Sequence, residues 1–266
     1  MELRDAVAIV AGASGGIGSA TVEAFARAGT HLVLSAPESE RVTLEELASS
    51  ARRSGVRALV VPADLNSRND IDALVAAALA EYGAIDILAN VAGIGSRPSL
   101  CDSTDDDIVN VFSVNLVACA RLMHAALPAM RARRKGAIVN VGSIAGEAGV
   151  MGVYSASKFG MRGLCDTVRR EVRSYGVSVS LIEPGFVRTP MNHAMGDGLP
   201  GPEVVADAIV DAVRRPRRAR IVPKRYIIPV LLVRAFPWFV DLVFGDARIQ
   251  DRLNRDARAD AARARE

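Results

Sequence analysis

The chain has 266 residues, half of them apolar and a quarter charged, with a formal net charge of only +3. That length buries one α/β core and falls short of two average domains with linkers. The composition excludes disordered, collagen-like and low-complexity classes, and the small net charge carries no nucleic-acid signature. Three widely spaced cysteines (Cys101, Cys119, Cys165), no Cys-x-x-Cys pair and three histidines exclude a disulfide framework and a zinc site and fit a reducing compartment. The apolar run Ala6–Ala11 is too short for a secretory signal. The nearest approach to an apolar span, Tyr226–Phe244, is interrupted by Pro229, Arg234, Pro237 and Asp241, so a spanning helix is not expected. The expectation is a cytoplasmic protein.

In chain order, short β-branched runs alternate with longer amphipathic ones. Strands are expected at Val7–Val10, His31–Leu34, Ala58–Val61, Ile85–Leu88, Ala137–Val141 and Val177–Ile182. They are nearly continuous apolar runs, the pattern of parallel strands covered on both faces. Helices are expected at Ile17–Ala28, Arg41–Arg53, Asn69–Glu81, Asp105–Arg133 and Tyr154–Tyr175. Gly29, Gly55, Gly83, Gly136 and Gly176 follow them, where a helix C-terminus favours positive φ. Such alternation predicts an α/β fold: a doubly wound parallel sheet of about seven strands with helices on both faces. Residues 1–225 read as one domain, with a Gly-punctuated lid at about 190–202.

Composition shifts near residue 214. Arg214, Arg215, Arg217, Arg218, Arg220, Lys224 and Arg225 crowd an acid-free stretch, and an apolar, aromatic extension (226–244) and a charged tail to residue 266 follow. Pro229 and Pro237 read as starts of two short helices, and the tail as a solvated helix held by weak ion pairs. Three fates are open to the extension: packing over the pocket, forming a subunit interface, or making peripheral membrane contact through 226–244.

The turn Ala11-Gly12-Ala13-Ser14-Gly15-Gly16-Ile17-Gly18 lies between the first strand and the first helix. Glycines there permit a tight turn, close approach of a pyrophosphate and close helix–strand packing, while the helix N-terminus offers free N–H groups to phosphate. Tyr154 and Lys158, four residues apart on one helix, share a face. A fixed ammonium beside Tyr154 would lower the phenol pKa toward neutrality. Ser143, at the end of the fifth strand, could hold a substrate oxygen beside Tyr154.

The spacing Gly12-x-x-x-Gly16-x-Gly18 differs from the general dinucleotide fingerprint and resembles that of the short-chain dehydrogenase/reductase family. Other motifs of that family follow in order: Asp64-Leu65, Asn90-Val91-Ala92-Gly93, Tyr154-x-x-x-Lys158, and Pro184-Gly185 with Val187 and Thr189. The resemblance, which covers residues 6 to about 225, implies a Rossmann-type NAD(P)-dependent oxidoreductase that interconverts a ketone or aldehyde and its alcohol by hydride transfer. It implies a catalytic set of Asn115, Ser143, Tyr154 and Lys158. Tyr154 is the general acid/base, Lys158 lowers its pKa and binds the nicotinamide ribose, Ser143 orients the substrate and Asn115 anchors a water relay. It implies a cofactor-binding set of Gly12, Ser14, Gly15, Gly16, Ile17, Gly18, Ala36, Asp64, Leu65, Asn90, Ala92, Gly93, Tyr154, Lys158, Pro184, Gly185, Val187 and Thr189. The long helices 105–133 and 154–175 would, by resemblance, pair subunits into a homodimer or homotetramer.

Ser143 and Tyr154 stand closer in sequence than is usual in that family, which reshapes one wall of the pocket. The presumed substrate rim is Ile94, Ser143, Ile144, Met151, Val153, Phe186, Met191 and Met195, an aliphatic and methionine surface suited to a hydrophobic carbonyl or alcohol. His193 reads as a lid surface residue. The second strand ends Ser35-Ala36-Pro37 with no acid before Glu38, and the nearest cation is Arg41, a balance that favours NADP(H) over NAD(H). Rival readings are a catalytically silent NAD(P) sensor or scaffold, a sugar-nucleotide epimerase, for which the chain lacks length, and nucleic-acid binding through the arginine cluster.

Overall fold

The computed structural model describes residues 1–96, 99–195, 198–246 and 249, with the side chains of 193–195 and 239 outside the described set. Seven strands form: β1 (Val7–Ala11), β2 (His31–Ser35), β3 (Ala58–Val60), β4 (Ile87–Asn90), β5 (Gly136–Val141), β6 (Val177–Pro184) and β7 (Ala219–Val222). They make a single sheet in the order β3-β2-β1-β4-β5-β6-β7, every pair parallel. The helices are α1 (Gly16–Arg27), α2 (Arg41–Arg53), α3 (Arg68–Tyr82), α4 (Asp105–Phe112), α5 (Ala118–Arg133), α6 (Ala145–Ala148), α7 (Gly152–Val172), α8 (Glu203–Arg214), α9 (Ile227–Ala235) and α10 (Pro237–Phe244).

Side chains alternate across a strand, so each strand feeds two cores. Ala8 and Val10 of β1 join Val22, Phe25, Leu44 and Ile209 from α1, α2 and α8 on one face. Val7, Ile9 and Ala11 join Leu74, Leu122 and Cys165 from α3, α5 and α7 on the other. The unbroken apolar reading of β1 follows directly: all five of its residues are buried. Helix starts are fixed locally. Ser67 Oγ accepts from the Asp70 N–H at 3.3 Å to cap α3, and Thr104 and Asp107 form a reciprocal capping box on α4.

Four expectations need correction. Gly29, Gly55, Gly83 and Gly176 take positive φ, whereas the position after α5 is filled by Arg134 at φ 50°. Gly136 instead opens β5, because a Cβ there would meet Met130 Sδ at 2.7 Å. The fourth strand starts at Ile87 rather than Ile85. The helix expected over 105–133 is interrupted by a π-helical segment, Ser113–Val117, an insertion of the kind that re-aims one side chain; here the buried residue in it is Asn115. Finally, 105–133 is long and apolar enough to cross a membrane by length and composition, but Leu122, Met123, Ala126 and Met130 of α5 pack into the sheet core.

The extension forms the two short helices expected. Val230 on α9 is buried, and Arg234 makes two hydrogen bonds, 2.7 and 2.9 Å, to the Glu147 carboxylate on α6. The tail from 250 onward and lid residues 196–197 lie outside the described residues.

Phe25 is the bulkiest fully buried side chain. Phe25→Ala is expected to lower unfolding free energy by about 3–5 kcal/mol, read as a lower urea midpoint at unchanged m-value.

Candidate active site

Ligand sites in open parallel sheets lie beyond the carboxyl ends of the strands, and the candidate residues gather there. Ser143 stands two residues past β5 yet is held as firmly as a strand residue. The flanking N–H groups of Gly142 and Ile144 donate to Ile182 O at 2.7 Å and Pro184 O at 3.0 Å. Its Oγ accepts from the Ala145 N–H at 3.1 Å and faces the Tyr154 hydroxyl, whose pKa it lowers. Tyr154 lies in the first turn of α7, and its own N–H donates to Ser96 Oγ at 3.0 Å. Ser96 in turn donates to Met151 O at 3.3 Å, tying the loop after β4 to the start of α7.

One turn on, Lys158 is buried. Its ammonium donates to Val141 O at 3.0 Å and lies 5.6 Å from the centre of the Tyr154 ring. Desolvation pulls the lysine down to about 8. Burial holds the Tyr154 phenol above its ordinary value, opposed by Ser143. In the chain by itself burial prevails, and the tyrosine is held in its neutral, proton-donating form.

Asn115 is fully buried. Its Oδ1 accepts from the Ile94 N–H at 2.8 Å, and its Nδ2 donates to Ile94 O at 3.0 Å and Ser157 Oγ at 3.1 Å. It therefore clamps the loop after β4 onto α7. Gly93 lies between them, with an added Cβ only 3.1 Å from Lys158 Nζ and 3.3 Å from Asn115 Oδ1. Ser96 and Ser157 were not singled out from the sequence; lone serines carry no spacing signal, and only the fold shows what they bridge.

The glycine turn fits a dinucleotide phosphate. A Cβ on Gly12 would meet Ala92 N and Cα at 2.6 Å, and one on Gly18 would run into Gly12 O. The N-terminus of α1 has no side-chain cap and no acid in its first turn, so its N–H groups and dipole stay available to an anion. Thr189 sits over this turn, 3.2 Å from where a Gly16 Cβ would be. The ends of β2 and β3 meet through the Ala63 N–H to Ala36 O bond at 2.9 Å, placing Ala36 beside Asp64 and Leu65. Ser14 and Gly15 lie in the turn between β1 and α1 and Ile17 in the first turn of α1, while Val187, after β6, is buried in the core.

Asn90 ends β4 at the carboxyl edge of the sheet. Its side chain is buried and donates to Asn140 Oδ1 at 2.7 Å and Cys119 Sγ at 3.4 Å, inside the core. Of the expected substrate rim, Ile94, Ile144, Met151 and Phe186 are half-buried, Val153 is buried and Met191 is exposed; the side chains of Met195 and His193 lie outside the described residues. Packing over the pocket is one of the three fates open to the extension, and Tyr226 at its start bears on it. Its ring lies where a Gly185 Cβ would project and meets Phe186 edge-on at 6.4 Å, so the extension closes against the Pro184–Gly185 segment.

A model of the short chain dehydrogenase family matches residues 6–199, and the chain belongs to that family of oxidoreductases. It is 35% identical over 196 residues to a dehydrogenase/reductase SDR family protein 7-like from Anopheles gambiae, covering 72% of this chain and 62% of that protein's length. Among solved structures, a short-chain dehydrogenase/reductase from Burkholderia phymatum in complex with NAD is 26% identical with a TM-score of 0.82, covering 90% of this chain and 96% of that one. An actinorhodin polyketide ketoreductase with NADPH is 28% identical with a TM-score of 0.76, covering 82% and 95%.

Lys158 is expected to cost stability for the sake of the site. Its folded value of about 8 lies below the ordinary 10.5, so between those pH values the unfolded chain holds the extra proton and stability rises with pH. Lys158→Met should raise Tm by a few degrees at pH 7, with the gain shrinking as pH approaches 10.5 and activity lost throughout. Thermal melts across pH 7–10 check it; a lower Tm for the variant at pH 7 would refute it.

Proposed function

We propose that the protein interconverts a hydrophobic ketone or aldehyde and its alcohol with a nicotinamide cofactor, NADP(H) in preference to NAD(H). The observation that carries this reading is the gathering of Ser143, Tyr154 and the buried Lys158, whose ammonium donates to Val141 O at 3.0 Å and lies 5.6 Å from the Tyr154 ring centre, at the sheet edge where the glycine turn would hold a pyrophosphate. A bound nicotinamide supplies or takes the hydride. Ser143 holds the carbonyl oxygen by a hydrogen bond, and Tyr154, kept neutral by burial, gives that oxygen its proton in reduction and reclaims it in oxidation. Lys158, charged beside the ring, stabilises the phenolate left behind. Gly12, Gly16 and Gly18 would seat the phosphates, Gly93 leaves room against Lys158, and Pro184-Gly185 with Val187 and Thr189 would bound the nicotinamide.

The aliphatic rim of Ile94, Ile144, Met151 and Phe186 supports an apolar substrate, as does the likeness to a polyketide ketoreductase. For the cofactor, β2 ends in Ser35-Ala36-Pro37 without a carboxylate for a ribose hydroxyl, and the first acid, Glu38, is held in a two-point pair by Arg41. Arg41 is the cation that would turn to a 2′-phosphate. Pairing of subunits through α4, α5 and α7 belongs to the same proposal, supported by exposed Val109, Val117 and Phe159 on those helices.

Tyr154→Phe is expected to lower kcat by about 10²–10⁴-fold on a panel of apolar ketones while leaving NADPH binding, followed by nucleotide fluorescence, intact. Wild-type enzyme that binds the nucleotide tightly but turns over no panel member would favour a sensing role. Arg41→Ala is expected to raise KM for NADPH by about tenfold and leave that for NADH unchanged; the reverse selectivity would assign NAD(H).

A further inference from the structure

Helix α9 has two unlike faces. Val230 and Arg234 point into the protein, the latter onto Glu147. Ile228, Leu231 and Leu232, at i, i+3 and i+4, stand out of it, and Ile228 is 69% exposed. Helix α10 adds Trp238, 61% exposed, and Leu242, 68% exposed, with Phe236 at the junction. Together with Ile227, these are seven of the thirteen large exposed hydrophobic side chains among the described residues. Such an apolar patch is not explained by the ordinary scatter of surface apolar groups.

We propose that this face is a lipid-docking surface: α9 and α10 lie in the headgroup region of a bilayer containing anionic lipid, beside the mouth of the candidate site. Three observations select that occupant. First, α9 and α10 are nine and eight residues long, about 13 and 12 Å at 1.5 Å per residue. Separated at Phe236–Pro237, they are far too short to span a hydrocarbon core of about 30 Å but long enough to lie flat on it. Second, exposed Lys224 and Arg225 precede α9 directly. No acid occurs between Asp211 and Asp241, so the border is cationic, as an anionic headgroup layer requires. Among the described residues of α9 and α10, exposed Asp241 is the one carboxylate. Third, the patch exposes two aromatic rings, Phe236 and Trp238, where α9 meets α10, and tryptophan is a side chain that settles at a membrane interface. A twofold contact with a second copy would set this surface against itself, with the two Asp241 carboxylates, among the described residues of α9 and α10, to answer four cations.

The arginines before β7 take no part. Arg214–Arg218 precede β7 and Lys224 follows it, so the strand separates them from α9; Arg218 pairs with Asp166 and Arg220 with Asp211. The docking reading does not depend on the identity of the substrate.

Trp238 is the only tryptophan, so the full-length protein carries its own reporter. Titration with vesicles of phosphatidylcholine and phosphatidylglycerol in equal parts is expected to shift its emission to the blue and to bring the protein down with the vesicles. Vesicles of phosphatidylcholine alone should bind more weakly. Leu231→Glu should weaken vesicle binding by at least about tenfold. Lys224→Gln with Arg225→Gln should lose about fivefold per cation on the anionic vesicles only and reduce the salt dependence. Both variants should keep the melting temperature and the turnover of a water-soluble substrate, and the cation variant, wholly on the surface, tests the proposal even if Leu231→Glu fails to fold. An emission that neither vesicle moves overturns the proposal. So does a lipid-free emission already blue, with Leu231→Glu splitting a dimer seen by sedimentation, which would make the face a contact between copies.

Discussion

The arrangement hangs on an ammonium taken out of water without a carboxylate to meet it. Lys158 is buried, its ammonium donates to the carbonyl of Val141, and desolvation draws it down to about 8. A cation held this way persists only if its surroundings are over-determined. The neighbouring structure is accordingly tight. A Cβ on Gly146 would strike the Lys158 carbonyl carbon at 2.9 Å, and one on Gly93 would crowd its Nζ at 3.1 Å. The π-helical turn at Ser113–Val117 brings Asn115 to the Ile94 backbone and Ser157, fixing the two segments that flank the lysine.

A second set of buried charges sits at the same end of the sheet, and its composition is different. Arg162 reaches both Glu147 and Glu183, and Arg234 reaches the same two carboxylates from α9. Two cations and two anions balance there, so desolvation is offset by pairing in a way it is not at Lys158. Burial raises the Glu183 carboxyl and Glu147 adds to that rise; burial also pushes Glu147 up, but the bonds from Arg234 and the charge of Arg162 hold it below its ordinary value. The pair is thus asymmetric, with Glu147 the better anion and the one Arg234 grips.

Much of this was legible in the sequence because the sheet imposes it. Parallel strands covered on both faces must be apolar throughout, so Val7–Val10 and Ala137–Val141 announce themselves, and the glycines of the first turn follow from backbone crowding at Gly12 and Gly18. What stayed hidden depends on neighbours distant in the chain. Nothing local to Asp105–Arg133 marks the π turn, since its reason is a loop about twenty residues upstream of Asn115. The inward turn of Asn90 needs Asn140 across the sheet. Gly136 looked like a helix terminator and proved to be a packing glycine under Met130, the same residue type serving a different constraint.

The extension joins the two halves of the molecule's chemistry. Its inner face is bonded to Glu147, four residues past Ser143, and its leading residue Tyr226 lies on Gly185 and Phe186. Its outer face is the apolar surface of α9 and α10. Helix α9 is nine residues long, and a helix so short is not stable by itself in water, so its order derives from the inner contacts. A force that tilts α9 is therefore felt at α6 and at the Pro184–Phe186 segment, the two walls that flank Tyr154. Were occupancy of the outer face to shift α9, these contacts would carry the shift to the pocket, and by linkage a ligand in the pocket would act back on the outer face with equal free energy.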